Sequence, residues 1–255
     1  HAGNVKYLGL GKGAVVTIIK SGEIIPKIIS VLKKSENPIV PDVCSCCESA
    51  LVWVNNFLEC QNTECNGRVA AHLRFFTKKL GMDLIGFKAS EKLANEGYNA
   101  VKLLSITVGE LERIGFGAGQ SANIIAELDR VKSFPVEDYK ILASVGIRML
   151  GDRASKELLK DTPLSELSSI TREKIIATDG FAEKKADAIL SGVSKYSELL
   201  DALSSFFTEI KSSKVEVTES SITGLRFVFT GKMLQGNRDD MSANAEQLGA
   251  IVQSS

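Results

Sequence analysis

Five cysteines lie between Cys44 and Cys65, and the rest of the 255-residue chain contains none. Cys44 and Cys47 form a C-x2-C pair, which twelve residues separate from a C-x4-C pair formed by Cys60 and Cys65. Two such pairs can place four thiolates in a tetrahedron around one cation. Sulfur ligands in this geometry select zinc or iron, and four thiolates leave no open coordination position. The spacing predicts a structural metal site, with free thiols as the alternative.

The fifth cysteine, Cys46, is interpreted as a thiol that does not bind the metal. Its use as a ligand would leave a cramped first turn and a C-x13-C gap. His72 follows the last cysteine by seven residues and is interpreted as an ordinary helix residue. The stretch "ALVWVNNFLEC" between the pairs predicts a β-hairpin that turns at Asn55 and Asn56. Cysteine pairs that flank a hairpin are typical of a zinc ribbon.

Composition excludes some partners and constrains the compartment. The 31 basic and 31 acidic residues balance, so bulk charge indicates neither a nucleic-acid partner nor a membrane partner. No apolar run is long enough to span a bilayer, and the first residues show no secretory signal. We therefore expect no membrane partner and a reducing cytoplasmic location, where clustered cysteines bind metal more often than they form disulfides.

The residues before the cysteines predict β-structure. "AVVTIIKSGEIIPKIISVL" contains short β-branched runs that Gly13, Gly22 and Pro26 interrupt. Such runs predict strands with tight turns in a small barrel or sheet, with an ordinary hairpin as the alternative.

A sequence template recurs in the helical region that follows. "RIGFGAGQSANII" and "TDGFAEKKADAIL" align Gly115 with Gly180 and Gly117 with Ala182. "MLGDRASKELL" matches more loosely through Gly151, and "LIGFKASEKLA" matches weakly, with Lys88 at the small-residue position. These turn positions are 29, 34 and 31 residues apart, a near-constant period that indicates a repeated structural unit.

The template predicts a helix, a glycine hairpin and a second helix. The second helix begins with unpaired N–H groups and the positive end of its dipole, which together attract anions. Several such units at a fixed spacing suit the phosphates of a nucleic-acid backbone. The alternative is a plain helical bundle in which the glycines only end helices.

The C-terminal residues predict one β–α–β unit. "SITGLRFVFTGKM" reads as a strand that enters a Thr-Gly turn, and "DDMSANAEQLGAIVQSS" reads as a helix followed by a second strand. A parallel sheet of two strands is not a stable domain by itself, so we expect these residues to be part of a larger α/β module. The polar stretch "TEIKSSKVEVTESS" before them is interpreted as a linker.

This order of motifs resembles the C-terminal half of the bacterial NAD-dependent DNA ligases. "KSGEIIPKI" is similar to a Gly-Asp-Val-Ile-Pro stretch of that family's oligonucleotide-binding (OB) barrel, with Glu23 in place of Asp and Ile24 in place of Val. "VGIRMLGDRAS" is similar to a Gly-Ile-Arg-x-Val-Gly-Glu run, and "LRFVFTGKM…RDD" is similar to the opening of a BRCT domain. The cysteine spacing also falls within the family's zinc pattern.

The resemblance implies a multidomain α+β chain. The implied parts are the C-terminal part of an OB barrel (1–40), a four-cysteine zinc finger (41–67), four helix–hairpin–helix repeats (68–207), a linker (208–220) and the N-terminal part of a BRCT domain (221–255).

In that family the complete enzyme seals 5′-phosphate/3′-hydroxyl nicks in duplex DNA, using NAD and Mg2+. The Lys-x-Asp-Gly nucleophile motif does not occur in this sequence. The resemblance therefore implies no catalytic residue here, no NAD or Mg2+ binding by this chain, and a separate or preceding adenylation half as partner. It implies location in a bacterial or phage-infected cell, at the nucleoid. The alternative is a stand-alone, non-catalytic DNA-binding module in repair or replication.

The resemblance also implies which residues bind the nicked duplex. Lys20 would reach a phosphate near the nick, and Ile24 and Ile25 would pack against the minor groove. The implied hairpin contacts are Gly115, Gly117, Gly151, Gly180 and Ala182.

Overall fold

The computed structural model describes residues 1–22, 24–214, 220–231 and 236–253, without the side chains of Asp239 and Asp240. Contacts divide the chain into two compact units. The first comprises residues 1–71 and 90–97, and the second comprises residues 72–89 and 98–255. Within the described residues, no helix is both long and apolar enough to cross a membrane.

The first unit begins with a helix, which precedes the predicted strands. Helix α1 (Ala2–Leu8) ends at Gly9, whose left-handed backbone (φ 63°) lets its N–H bond to the carbonyl of Lys6. A glycine that closes a helix in this way is a common terminator. The strands were predicted for the stretch Ala14–Leu32, so α1 lies before them and was not predicted.

Strands β1 (Val15–Ser21) and β2 (Ile25–Lys33) form an antiparallel hairpin with two register shifts. They are a separate two-stranded sheet, so the described residues of this region contain strands but no barrel. Glu23, which stands in place of the family's Asp in "KSGEIIPKI", lies outside the described residues.

The predicted hairpin between the cysteine pairs is confirmed. Strand β3 (Leu51–Val54) pairs with β4 (Phe57–Cys60) in antiparallel register, so that Leu51 faces Cys60. Asn55 occupies the left-handed region (φ 54°) at the turn, which asparagine tolerates better than most residues. Helix α2 (Asn66–Lys79) follows directly after Cys65.

Helices dominate the rest of the chain up to Phe206, as predicted. After α3 (Phe87–Asn95), the α-helices are α4 (Ala100–Leu103), α5 (Val108–Arg113), α6 (Ala118–Ser133), α7 (Asp138–Ser144), α8 (Asp152–Asp161), α9 (Arg172–Ala177), α10 (Glu183–Lys195) and α11 (Ser197–Phe206). A 3-10 helix, Leu164–Ser169, precedes α9. Four connections between helices lie at the predicted hairpin positions: hairpin 1 (80–86), hairpin 2 (114–117), hairpin 3 (145–151) and hairpin 4 (178–182).

The second helix of each pair follows one burial pattern. The count starts from the residue that immediately precedes the helix. The fourth residue after it is small and fully buried, and the seventh residue after it is aliphatic and fully buried. The small residues are Ser90, Ser121, Ser155 and Ala186, and the aliphatic residues are Leu93, Ile124, Leu158 and Ile189. These two positions lie about one helical turn apart on one face, which explains why the template repeats.

This pattern corrects the alignment of the first repeat. Helix α3 begins at Phe87, so its preceding residue is Gly86, and counting from Gly86 reaches the buried Ser90 and Leu93. Lys88 is instead a residue of the helix. The turn positions become 86, 117, 151 and 182, with spacings of 31, 34 and 31 residues. The first hairpin therefore has a small residue where the sequence alignment had placed a lysine.

The start of the predicted linker is bound to the helical region. Strand β6 (Ile210–Lys211) pairs in parallel with β5 (Val136–Glu137), and Thr208 donates its N–H and its hydroxyl to the carbonyl of Lys132. The buried carboxylate of Asp138 accepts the N–H of Ser213 at 2.7 Å and also its hydroxyl. Residues 208–213 are thus an attached strap, and residues 215–219 lie outside the described residues.

The predicted C-terminal β–α–β unit is confirmed in its order and direction. Strand β7 (Arg226–Phe227) pairs in parallel with β8 (Ile251–Val252), and α12 (Arg238–Gln247) connects them. Residues 232–235 lie outside the described residues.

Candidate metal centre and nucleic-acid interface

The four predicted cysteine ligands converge. The Sγ atoms of Cys44, Cys47, Cys60 and Cys65 all lie within 4.8 Å of one another. The Sγ atoms of Cys44 and Cys65 are 3.9 Å apart, and those of Cys47 and Cys60 are 3.5 Å apart. A zinc ion bound by thiolates at 2.3 Å requires sulfur atoms about 3.8 Å apart. The cluster therefore fits one tetrahedral metal ion and leaves no side for substrate.

Two tight turns position these sulfurs. In the first, the N–H of Cys44 donates to the carbonyl of Ser49 at 2.8 Å, and Glu48 takes a left-handed backbone (φ 58°) that reverses the chain. In the second, Cys65 immediately precedes α2, and its carbonyl accepts the N–H groups of Arg68 and Val69. The helix start therefore fixes Cys65, whose thiolate would lie at the positive end of the helix dipole.

The four thiols differ in acidity. The hydroxyl and the backbone of Ser49 donate hydrogen bonds that lower the pKa of Cys47 to about 6. Backbone hydrogen bonds from Cys46 and Cys47 also lower the pKa of Cys44. Burial raises the pKa of Cys60, and it raises that of Cys65 to about 12. Metal ions bind thiolates, so binding must remove the protons of the two less acidic cysteines.

The two residues that the sequence had excluded as ligands lie outside the cluster. Cys46 is exposed, and its Sγ accepts the N–H of Gly67 at 3.1 Å. His72 lies in α2, and its Nε2 is 2.8 Å from the carbonyl oxygen of Val145. That oxygen can only accept, so Nε2 carries the proton. Burial lowers the pKa of His72, which keeps the ring neutral.

The hairpin residues that the sequence singled out occupy two structural positions. Gly115 and Gly180 turn the chain with left-handed backbones, at φ 86° and φ 72°. Gly117, Gly151 and Ala182 are the N-cap residues of α6, α8 and α10, and none of them makes a side-chain cap bond. Glycine and alanine have no acceptor to offer, so the first N–H groups of these helices have no side-chain cap.

The first helices of two pairs begin differently. The hydroxyl of Thr107 accepts the N–H of Glu110 at the start of α5, and Glu110 bonds back to Thr107 in a complete capping box. The hydroxyl of Thr171 caps α9 in the same manner, through the N–H of Lys174. The chain therefore caps helix starts with threonine on α5 and α9 and omits such caps on the helices that follow hairpins 2 and 4.

Space around the cap glycines is open. A Cβ atom added at Gly117 or Gly151 would meet nothing within 4 Å. Gly117 has φ −69° and ψ 152°, a backbone that any residue can adopt. Neither packing nor backbone strain within the chain requires glycine at position 117, which leaves room for a ligand to approach the backbone.

The predicted contacts before the zinc module lie together at the end of the β1–β2 hairpin. Lys20 pairs with Pro26 across the hairpin, and Ser21 pairs with Ile25. The side chains of Ile24 and Ile25 are 82% and 70% exposed. Clustered exposed apolar side chains are typical of a contact surface.

Sequence reasoning missed Gly86, and it also missed the exposed pair Arg148 and Met149 in hairpin 3. The signal for Gly86 was present in the small and aliphatic residues four and seven positions later. No sequence signal marked Met149, because its left-handed backbone (φ 64°) occurs at a position where glycine would be expected.

Known proteins with similar sequences are DNA ligases. The chain is 37% identical over 259 residues to the DNA ligase of Desulfatibacillum aliphaticivorans, an alignment that covers 99% of this chain and 41% of the ligase. It is 36% identical to the ligase of Shewanella baltica, covering 99% of this chain and 40% of the ligase. It is 35% identical to the ligase of Vesicomyosocius okutanii, with coverage of 99% and 41%. No protein-family model matches the chain.

The chain thus spans about 40% of the length of the curated relatives it matches. It corresponds to the C-terminal part of these DNA ligases, and it carries the clustered cysteines described above.

Proposed function

We propose that this chain, a relative of the C-terminal part of bacterial DNA ligases, is the DNA-gripping part of an NAD-dependent ligase that seals nicks. The proposal assigns 1–40 to the end of an OB barrel, 41–67 to a zinc finger, 68–207 to four helix–hairpin–helix repeats and 221–255 to the start of a BRCT domain. The partners are nicked duplex DNA and an adenylation part that carries the nucleophilic lysine.

One observation carries the DNA-binding role. Helices α6, α8 and α10 start at Gly117, Gly151 and Ala182, residues whose side chains cannot cap them. Each helix end carries roughly half a positive charge on N–H groups that can bind phosphate oxygens. Repeated attraction of this kind needs no excess of lysine and arginine, which agrees with a balanced composition of 31 basic and 31 acidic residues. Backbone N–H groups on phosphates distinguish no base, so binding has little sequence preference.

The zinc module serves this role by holding its two cysteine turns rigidly beside α2. Its cation would be bound by Cys44, Cys47, Cys60 and Cys65, whose sulfurs have the spacing that zinc requires. Zinc would supply cross-linking only, because four thiolates exclude water and substrate from the ion.

The stand-alone module without a ligase partner is the second candidate. The exposed Ile24 and Ile25 beside Lys20 favour the ligase, because this hairpin end has the composition of a surface that contacts another part or the duplex. A module that bound DNA only through the glycine hairpins would not need this exposed end of the β1–β2 hairpin.

Substitution of Gly117 by valine tests the phosphate site. We expect Gly117→Val to weaken binding to duplex DNA about tenfold, because the side chain blocks the approach of a phosphate to the start of α6. The fold should persist, since position 117 is open and its backbone is allowed for valine. Fluorescence anisotropy at several salt concentrations gives the affinity, and circular dichroism gives the helix content.

Gly109→Val is the matched control. Gly109 lies in α5, also with open space at its Cβ, and away from the start of a second helix. This variant should bind DNA as the native chain does. Equal affinity of Gly117→Val and Gly109→Val would reject the phosphate site and leave the hairpin as a turn only.

Incubation with NAD tests whether this chain can be adenylylated by itself. The sequence has no Lys-x-Asp-Gly motif, so this chain alone should not take up AMP from NAD. Intact-mass measurement after incubation with NAD and Mg2+ should show an unmodified chain. A covalent AMP adduct would contradict the proposed role and the stand-alone alternative together.

Zinc binding should depend on pH. Since the pKa values of Cys60 and Cys65 are raised, both thiols are protonated near neutral pH, and zinc must displace at least their protons. Zinc affinity should therefore rise as pH increases from about 6 to 8. Calorimetry in buffers with different ionisation enthalpies measures the released protons. A pH-independent affinity would show that these cysteines are not the ligands.

A further inference from the structure

An ion pair joins the C-terminal β–α–β unit to the helical region. The ammonium group of Lys160, near the end of α8, lies 3.1 Å from a carboxylate oxygen of Glu246 in α12. These two residues are 86 positions apart in the chain. The contact therefore links two parts of the chain that the sequence had assigned to separate modules on either side of a linker.

The ion pair is largely shielded from solvent. The side chains of Lys160 and Glu246 are 27% and 19% exposed, whereas those of Lys79 and Asp152 in another ion pair are 33% and 54% exposed. Water and salt screen an exposed pair strongly and a covered pair much less. Burial by itself lowers the pKa of Lys160, but the carboxylates of Glu246 and Glu157 outweigh burial and raise this pKa overall. The attraction to the carboxylates is therefore stronger than the penalty for covering the ammonium group.

Lys160 also has a partner on its own helix. A carboxylate oxygen of Glu157, three residues earlier in α8, lies 3.3 Å from the same ammonium group. One cation thus faces two carboxylates, one from α8 and one from α12. If α12 leaves α8, Lys160 keeps Glu157. Separation of the two helices therefore leaves no unpaired ammonium group, so the contact can open and close.

The strap keeps α12 within reach of α8. Ser213, its last residue, is bound through its N–H and its hydroxyl to the buried carboxylate of Asp138, which begins α7. Helix α7 packs against α8, so the strap ends beside the helix that carries Lys160. An extended chain covers at most about 3.6 Å per residue, so Ser221, eight positions later, lies no more than about 29 Å from Ser213. So short a connection gives an effective concentration in the millimolar range, which lets a weak contact form.

The two ends of α8 carry different contacts. Gly151 precedes the helix and belongs to the proposed phosphate site, whereas Lys160 lies nine residues further on, in the last turn. A rise of 1.5 Å per residue separates these positions by about 14 Å along the helix axis. A phosphate at the start of α8 and α12 at its end therefore use different groups of the helix.

We propose that the end of α8 is a docking surface for α12, with Lys160 as its anchor and Glu246 as its partner. The C-terminal β–α–β unit is then carried by the helical region, both without DNA and on a duplex, instead of moving independently on a linker. The strap supplies the proximity that a contact of this size needs. The docking itself does not depend on the proposed DNA-binding function, whereas its persistence on a duplex rests on that function.

Carbodiimide cross-linking of the zinc-loaded 255-residue chain tests the docked arrangement. The reagent activates a carboxylate, a neighbouring lysine nitrogen attacks it after losing a proton, and an amide bond forms while the reagent leaves as a urea. Digestion and mass spectrometry should find Lys160 joined to Glu246. The internal control is the link between Lys79 and Asp152, whose charged groups are 2.9 Å apart. The control link without a Lys160–Glu246 link would overturn the proposal.

Hydrogen exchange tests Lys160 as the anchor without any cross-linker, because amide exchange reports local opening. Lys160→Gln should make the amides of α12 exchange about fivefold faster, as expected for the loss of one ion pair. Glu157→Gln removes the competing carboxylate and should slow exchange in α12. Lys156→Gln is the matched control, because Lys156 is one turn earlier in α8 and its ammonium group faces the ring of Tyr139 in α7. Native exchange in α12 of Lys160→Gln would show that Lys160 is not the anchor.

A saturating nicked duplex tests whether the docking persists on DNA. The yield of the Lys160–Glu246 link should be the same with and without the duplex, because α12 and the phosphate site use opposite ends of α8. A link that forms in the chain alone and disappears with the duplex would contradict the claim that the helical region carries the β–α–β unit on DNA. If the chain does not bind the duplex at all, the proposed DNA-binding function fails, and the link formed without DNA still decides whether α12 docks.

Discussion

Cys60→Ser is expected to lose the metal and to unfold the zinc module. Zinc bound by four cysteines contributes about 10–16 kcal/mol in small modules, and this binding energy is also folding energy. The β3–β4 hairpin has only four residues in each strand, and no strand outside that pair joins its sheet in the described residues. A two-stranded sheet of this size is marginal by itself. The metal must therefore supply most of the module's stability.

Native mass spectrometry should find one zinc ion in the native chain and none in Cys60→Ser. Proteolysis of the variant should cut within residues 43–65, while the helical region from α4 onwards stays resistant. The metal-dependent resistance to proteolysis should also disappear when a chelator removes zinc from the native chain.

Cys46→Ser is the matched control for this experiment. Cys46 lies next to Cys47 in the sequence, but its sulfur accepts the N–H of Gly67 and is not one of the four clustered sulfurs. Serine can accept the same hydrogen bond, so this variant should keep its zinc and its resistance to proteolysis. Loss of zinc from Cys46→Ser, or a native chain without metal, would show that the ligand assignment is wrong.

The cysteine cluster was predictable because its information is local. The spacings between Cys44, Cys47, Cys60 and Cys65 and the turn at Asn55 lie within 22 residues, and the structure brings these sulfurs together as expected. The direction of the C-terminal β–α–β unit was predictable for the same reason. Each depends on a turn signal next to the elements that it joins.

The first repeat shows that an alignment based on residue identity alone can be wrong. "LIGFKAS" shares its Gly-Phe pair with "RIGFGAG", and this match put Lys88 at the position of Gly117. Burial is the physical constraint, and it aligns Gly86 with Gly117 through Ser90 and Leu93. Counting back from the buried residues, rather than forward from the glycine, gives the correct alignment.

Contacts between segments that are distant in the chain could not be predicted from the sequence. Asp138 and Ser213 are separated by 75 residues, and Asp138, which is 3% exposed, accepts hydrogen bonds from Ser213 of the strap. The paired strands β5 and β6 have two residues each, too few for an alternation of apolar and polar residues to be recognised. The polar composition of "TEIKSSK" therefore predicted a linker, although residues 208–213 are bonded to the helical region.

The N-terminal region shows a similar limit. β-branched residues between Ala14 and Val31 predicted β1 and β2, but α1 has no strong apolar period and depends on the left-handed Gly9 for its end. The extent of an OB barrel is likewise beyond a local pattern, because a barrel needs strands from several segments to pair.

Restoration of nick sealing is the second large expected effect. An adenylylated N-terminal part of a bacterial DNA ligase, mixed with this chain, should seal a nicked duplex far faster than either polypeptide alone. Positioning of reacting groups can lower a barrier by about 7–11 kcal/mol, and we expect this chain to supply it by gripping the duplex around the nick. We expect the nucleophile to come from the N-terminal part, because Lys-x-Asp-Gly does not occur in this sequence.

Three variants should affect the sealing rate differently, according to the role of the substituted residue. Lys20→Ala should slow sealing by the mixture while zinc content stays normal, because Lys20 lies near the end of the β1–β2 hairpin and is not one of the four clustered ligands. Cys60→Ser should abolish sealing together with zinc binding. Lys214→Ala, a cation after the strap, should seal at the native rate.

The most direct test of the central claim is the sealing rate of a pre-adenylylated N-terminal part at increasing concentrations of this chain, with a nicked duplex in excess. The DNA-gripping role predicts a rate that rises and saturates with the concentration of the chain. For Gly117→Val it predicts a much lower rate at each concentration below saturation. A rate that stays at the level of the N-terminal part alone, while this chain binds the duplex tightly, would contradict the ligase role and favour the stand-alone DNA-binding module.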